Sequence, residues 1–106
     1  METPNNIALS PETLVSEMQT PPSKVVEEVN DYIRKNVIKC KGKLTVSIYK
    51  TSLCHITENK YSYLVYENWL ESLAEIYRGN GWNVEVKPSM VDWKIDRLEL
   101  SYDMDN

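Results

Sequence analysis

Residues 61–86 read YSYLVYENWLESLAEIYRGNGWNVEV and combine a helical pattern, a glycine stop and the start of a strand. Projected at about 100° per residue, the apolar side chains of 61–78 cover about half of the helix circumference. The GNG sequence at 79–81 follows directly, and glycine just past the last turn is a common helix stop. Residues 82–87 then alternate between apolar and polar side chains, which is typical of a half-buried strand.

Two further helices are predicted upstream of this stretch. Ser10-Pro11-Glu12 is typical of a helix start, because serine suits the cap and proline suits the first helical position. This first helix is short, covering about 11–18, and the prolines at 21–22 end it. Apolar residues at intervals of four then predict a second helix over 22–38.

Two more strands are predicted, over 44–49 and over 93–102. The apolar alternation of the last strand changes phase near Asp96 and Arg97, which indicates either a bulge there or a strand covered on both faces. The first two strands flank the long helix and have the lengths of a parallel β-α-β crossover, and the last two form a hairpin. The predicted fold is α+β in the order α-α-β-α-β-β, with a small three-stranded mixed sheet and helices packed on one face.

The length of 106 residues suits one domain with one core. We predict a domain over 10–102, a flexible N-terminus over 1–9 and a flexible tail over 103–106. The N-terminus lacks a basic region followed by an apolar core, and no apolar run approaches the roughly 20 residues of a membrane span. A cytoplasmic location is expected, or the interior of a virion for a viral protein. Free thiols are therefore favoured over a disulfide at Cys40 and Cys54.

No residue pattern predicts catalysis, a metal site or a cofactor. His55 is the one histidine, and its neighbour Cys54 would point to the opposite side of an extended chain. Zinc sites commonly use close pairs of ligands, which the two cysteines do not provide. The GNG sequence follows a helix rather than opening one, so it is not a phosphate-binding loop. We therefore predict a protein that is not an enzyme.

Two surfaces are candidates for binding a partner. The first combines a row of glutamates at helical spacing with aromatic side chains that have polar tips, which are common at protein interfaces. Its residues are Glu67, Glu71, Glu75, Tyr61 and Trp82. The alternative interpretation is a solvated helix face and a thin core whose large residues reach the surface.

The second candidate is a basic segment, RKNVIKCKGK, on a chain with a formal net charge of −4. Its basic residues are Arg34, Lys35, Lys39, Lys41 and Lys43. Such a segment contacts phosphates in nucleic-acid-binding proteins, and the nearby Tyr49 and Tyr61 are candidates for stacking on bases. The alternative is a helix C-terminus whose bases complement the dipole.

The chain resembles small uncharacterised α+β proteins encoded by tailed phages and large DNA viruses. The resemblance covers about 44–100 and rests on the GWNV exit of the helix at 81–84 and on WKI at 93–95. It implies a virion component or a host-interaction factor, and it carries no functional residues. The sequence thus favours a domain that binds another protein, with nucleic-acid binding as the alternative, no membrane partner, and homo-oligomerisation left open.

Overall fold

The computed structural model describes residues 8–104, which form four helices and a four-stranded sheet, and the predicted α+β class is confirmed. Residues 1–7 of the predicted flexible N-terminus and residues 105–106 of the predicted tail lie outside the described residues. The elements in chain order are α1 (Pro11–Gln19), α2 (Ser23–Asn36), β1 (Ile38–Cys40), β2 (Lys43–Tyr49), α3 (Lys50–Ile56), α4 (Tyr63–Gly79), β3 (Asn83–Pro88) and β4 (Ile95–Asp103).

The helix signals in the sequence are confirmed at both ends. The Ser10 hydroxyl accepts a hydrogen bond from the Thr13 amide at 3.1 Å, which caps α1 as the sequence predicts. α4 begins at Tyr63, two residues later than predicted, and ends at the glycine stop. Gly81 has φ +102, a backbone conformation that glycine adopts without steric cost, so the chain reverses there into β3.

The sheet has the strand order β1-β2-β4-β3, and every neighbouring pair is antiparallel. The predicted three-stranded mixed sheet is therefore wrong. β2 and β3 do run in the same direction, because both are antiparallel to β4, but β4 lies between them and they do not pair. A hairpin partner can lie on either side of its strand, and the alternating pattern alone does not specify which side.

Two elements were missing from the prediction. β1 pairs with β2 through a two-residue turn in which Lys41 and Gly42 have φ +53 and +76, as in the hairpin turns that match strand twist. α3 occupies the segment after β2 where no helical pattern is evident. α3 contains one pair of apolar residues at helical spacing, Leu53 and Ile56, and a single pair does not reveal a periodicity.

The predicted bulge in the last strand is confirmed. Lys87 lies opposite Arg97 and Pro88 lies opposite Ile95, so Asp96 has no counterpart on β3. The strand begins at Ile95, two residues after the predicted start, and continues into the predicted tail to Asp103. The backbone amide of Met104 donates to the carbonyl of Gly42 at 2.8 Å, which fixes the end of β4 to the turn between β1 and β2.

α4 lies at the centre of the core, and the buried residues of the strands all point to the face that the helices cover. The prediction that the helices pack on one face is confirmed. The Trp69 indole donates to the carbonyl of Glu17 at 2.6 Å and attaches α1 to α4, while the Tyr77 hydroxyl donates to Asn30 at 2.7 Å and attaches α2. The buried strand residues are Val46, Ile48, Val84, Leu98 and Leu100.

Candidate functional site

The row of glutamates on α4 is not a uniform solvated surface. The Glu67 carboxylate accepts a hydrogen bond from the Lys50 ammonium group at 3.0 Å, and the two side chains are only 19% and 17% exposed. Glu75 is exposed and pairs with Arg78 at 3.3 Å. Glu71 is exposed. The Lys50 partner was not predicted, because it lies on α3, which the sequence did not reveal.

Tyr61 and Trp82 do not join this row in one surface. They flank the two ends of α4, whose 17 residues span about 25 Å. The Tyr61 ring packs edge-on against the buried Trp69, with centroids 4.8 Å apart, and remains 36% exposed. Trp82 is half-buried against the core beyond the glycine stop. The predicted protein-binding residues are therefore distributed over three separate places.

The basic segment is exposed. It comprises the end of α2, the edge strand β1 and the turn into β2. Arg34 pairs with Asp31 at 2.6 Å, whereas Lys35, Lys39 and Lys41 have no ion pair among residues 8–104. Acidic residues from the flanking segments thus lie near both ends of this segment, Asp31 at Arg34 and Asp103 opposite Lys43, and leave its middle unpaired among the described residues.

The most unusual surface is the connection between β3 and β4, which we call the hairpin tip (residues 89–94). It is ordered by its own hydrogen bonds: the Ser89 amide donates to the Lys94 carbonyl at 2.6 Å, and the Lys94 amide donates to the Asp92 carboxylate at 3.1 Å. This backbone hydrogen bond lowers the pKa of Asp92. The Val91 amide also donates to the Ser89 hydroxyl at 3.1 Å. The tip is therefore a defined turn.

Three large apolar side chains project from this turn. Met90 is 92% exposed, Val91 is 88% exposed and Trp93 is 80% exposed, the three highest values among the large apolar residues of the described chain. Their position was not predicted: the sequence placed Trp93 at the start of the last strand, whereas its φ of +63 places it in the turn. The sequence did contain one signal for this surface, the apolar residues between Pro88 and Lys94. A connector of this length is too short to bury them against itself.

Other exposed aromatic rings lie at the same end of the molecule. Tyr49 is opposite Arg97 in the sheet, and its ring is 5.9 Å from the guanidinium group. The Lys50 ammonium group lies 5.4 Å from the Tyr63 ring, and its charge also acts on Asp92 in the hairpin tip. We call this part of the surface, with Tyr49, Tyr63 and the hairpin tip, the hairpin end.

The structure places no reactive pair at the lone histidine. Cys54 and His55 are neighbours on α3 rather than in an extended chain, and Cys54 is buried while His55 is exposed. Both cysteines are free thiols, as expected. Burial raises the pKa of the Cys54 thiol, which disfavours the nucleophilic thiolate. Over residues 8–104, no group of three or more His, Cys, Asp or Glu side chains is placed to hold a metal ion.

Comparisons of the chain with models of protein families, with curated proteins and with solved structures find no match. The resemblance to proteins of phages and large DNA viruses stays a prediction. Within the described part of the chain, none of the helices has the length and apolar character required to cross a membrane.

Proposed function

We propose that the protein is a non-enzymatic interaction domain that binds another protein through the hairpin tip. One observation carries this proposal: three large apolar side chains lie almost fully exposed on an ordered turn. Folding gains little from them, whereas a partner that covered them would gain their full apolar area. Tryptophan and methionine are also enriched in the cores of protein interfaces.

The backbone at Trp93 supports this assignment. A left-handed conformation is costly for a bulky residue, and glycine or asparagine would adopt φ +63 with less strain. Neither the turn geometry nor the core therefore accounts for a tryptophan at this position. Residues held in unfavourable backbone conformations cluster at binding and active sites.

The charges around the tip favour a protein cleft over an anionic membrane surface. The hairpin tip contains one acid, Asp92, and one base, Lys94, and thus has no net charge. The nearby bases Lys50 and Arg97 are already paired, with Glu67 and with carboxylates of β4 respectively. Peripheral membrane binding typically combines apolar residues with many unpaired bases. The partner that fits is a protein with an apolar pocket and a polar rim.

Affinity capture with matched variants tests the proposal. The parent, a tip variant (Met90→Ser, Val91→Ser, Trp93→Ser) and a control (Val15→Ser, an exposed apolar residue on α1) are used as baits in extracts of the native host, with and without nuclease. We expect a protein that the parent and the control retain and the tip variant loses, irrespective of nuclease. If every captured protein binds the tip variant equally well, the hairpin tip is not the binding site.

Several sequence-based expectations stand beside this proposal. A role as a virus-encoded accessory protein or virion component would suit a small binding domain, and so would a location in the host cytoplasm. Self-association through the hairpin tip is the homo-oligomeric form of the same proposal, and sedimentation velocity of the parent and the tip variant separates it from binding to a different protein. The exposed Glu71 and Glu75 stay candidates for a secondary contact.

A further inference from the structure

A second potential binding surface lies at the opposite end of the sheet from the hairpin tip. A shallow hollow of about 320 Å³ opens there beside the glycine stop. Two aromatic side chains, Trp82 and Tyr102, line it, and Tyr102 is 48% exposed. The remaining lining residues are Leu44, Asn80 and Gly81. We call this surface the aromatic shelf.

The sheet register brings lysines to the aromatic shelf. Leu44 lies opposite Tyr102 on one side and opposite Lys39 on the other, so Lys39, Leu44 and Tyr102 form one row on the same face of the sheet. Lys41 occupies the left-handed turn at the end of this row, and the contact between Met104 and Gly42 fixes that turn against β4. The basic segment and the aromatic shelf are therefore neighbours.

The charges at this end leave Lys39 and Lys41 available to a ligand, since neither has an ion pair among the described residues. Lys43 is less available: it points to the other face, lies opposite Asp103 in the register, and its charge also acts on Glu85. The positive charge that faces solvent next to the aromatic shelf thus comes from two lysines.

We propose that the aromatic shelf binds single-stranded nucleic acid, with bases stacked on Tyr102 and Trp82 and with phosphates contacting Lys39 and Lys41. Aromatic side chains next to basic residues bind single strands in this way. Stacking tolerates any nucleotide sequence because every nucleobase has a π-face. A shallow hollow beside two lysines suits a single strand whose bases are unstacked. The hollow presents no helix or strand that would enter the groove of a duplex. The net charge of −4 opposes binding at long range. Because the contacts of Lys39 and Lys41 with phosphates are electrostatic, the complex weakens as the salt concentration rises.

The aromatic residues next to the basic segment differ from those that the sequence suggested. Tyr49 lies at the far end of β2, about 20 Å from Lys43, and Tyr61 lies at the start of α4. Neither reaches the basic segment. The aromatic shelf and the hairpin end are at opposite ends of β4, so one molecule has room for a nucleic acid and a protein partner together.

Fluorescence anisotropy of a fluorescein-labelled 12-nucleotide oligothymidine tests the proposal. At 50 mM KCl we expect a Kd of about 1–100 µM, in the range of non-specific binding, and about sevenfold weaker binding at 200 mM KCl for two neutralised phosphates. Tyr102→Leu is expected to weaken binding by about 5- to 150-fold through the loss of one stacked base. The double variant Lys39→Gln, Lys41→Gln is expected to flatten the salt dependence.

The matched controls are Tyr49→Leu and Lys94→Gln, which change the same residue types at the hairpin end. Both are expected to bind as the parent does, and circular dichroism confirms that each variant is folded. The proposal is overturned by an unchanged anisotropy up to about 200 µM protein at 50 mM KCl, because even a Kd of about 100 µM would leave most of the oligonucleotide bound at that concentration. Equal affinities of Tyr102→Leu and the parent overturn it too, as does an equal preference for a 12-base-pair duplex.

Discussion

Replacing the three apolar residues of the hairpin tip by serine (Met90→Ser, Val91→Ser, Trp93→Ser) is expected to leave the fold nearly as stable as the parent. The side chains are 92%, 88% and 80% exposed, so folding removes only a small part of each from water. With ordinary side-chain areas this amounts to about 80 Å², or at most about 2 kcal/mol at 25 cal/mol/Å². Compaction of the unfolded chain and the area that serine itself buries lower the expected loss to about 1 kcal/mol.

Urea unfolding followed by circular dichroism measures this loss. The control is Leu70→Ala, which truncates a fully buried side chain of α4 and is expected to lower the free energy of unfolding by about 2–5 kcal/mol. A loss well above 2 kcal/mol for the triple variant, comparable with the core truncation, would show that the tip side chains contribute to folding. The tip side chains would then support the fold, and there would be no reason to assign them to a partner.

Three further outcomes are expected. Burial raises the pKa of Tyr77 to about 12 from 10 in the unfolded chain, so its contribution to stability is complete below pH 10 and is lost as the pH approaches 12. The urea midpoint should therefore fall less between pH 9 and pH 11 in Tyr77→Phe than in the parent. Lys50→Ala leaves the Glu67 carboxylate half-buried without its partner, and should lower the free energy of unfolding by about 1–3 kcal/mol in the same assay. A thiol reagent such as DTNB should label the exposed Cys40 quickly, and the buried Cys54 only when the chain unfolds.

Much of the fold was predictable where a long pattern repeats. The apolar stripes of α2 and α4, the cap at Ser10, the stop at Gly81 and the bulge at Asp96 each follow from local physical rules. Short elements were not predictable. β1 has three residues and α3 has seven, and neither length contains enough repeats to distinguish a helix or strand from a loop. The position of β4 between its neighbours depends on tertiary packing.

The candidate surfaces were less predictable than the fold. The basic segment is exposed as the pattern allowed, but the aromatic side chains next to it are Trp82 and Tyr102, which become neighbours of Lys39 only through the sheet register. The hairpin tip was hidden because Trp93 fits a strand pattern as well as a turn. Only the left-handed backbone at that residue distinguishes the two, and sequence rarely predicts that conformation for a tryptophan.

Site-specific photocrosslinking tests most directly whether the hairpin tip binds a protein. A photoreactive benzoylphenylalanine replaces Trp93 in one variant and the exposed Val15 of α1 in another, and both are irradiated in cells of the native host. We expect one discrete adduct from position 93 that is sensitive to protease and resistant to nuclease, and that disappears when Met90→Ser and Val91→Ser are added. The same products from both positions, or no protein adduct from position 93, would contradict binding through the hairpin tip.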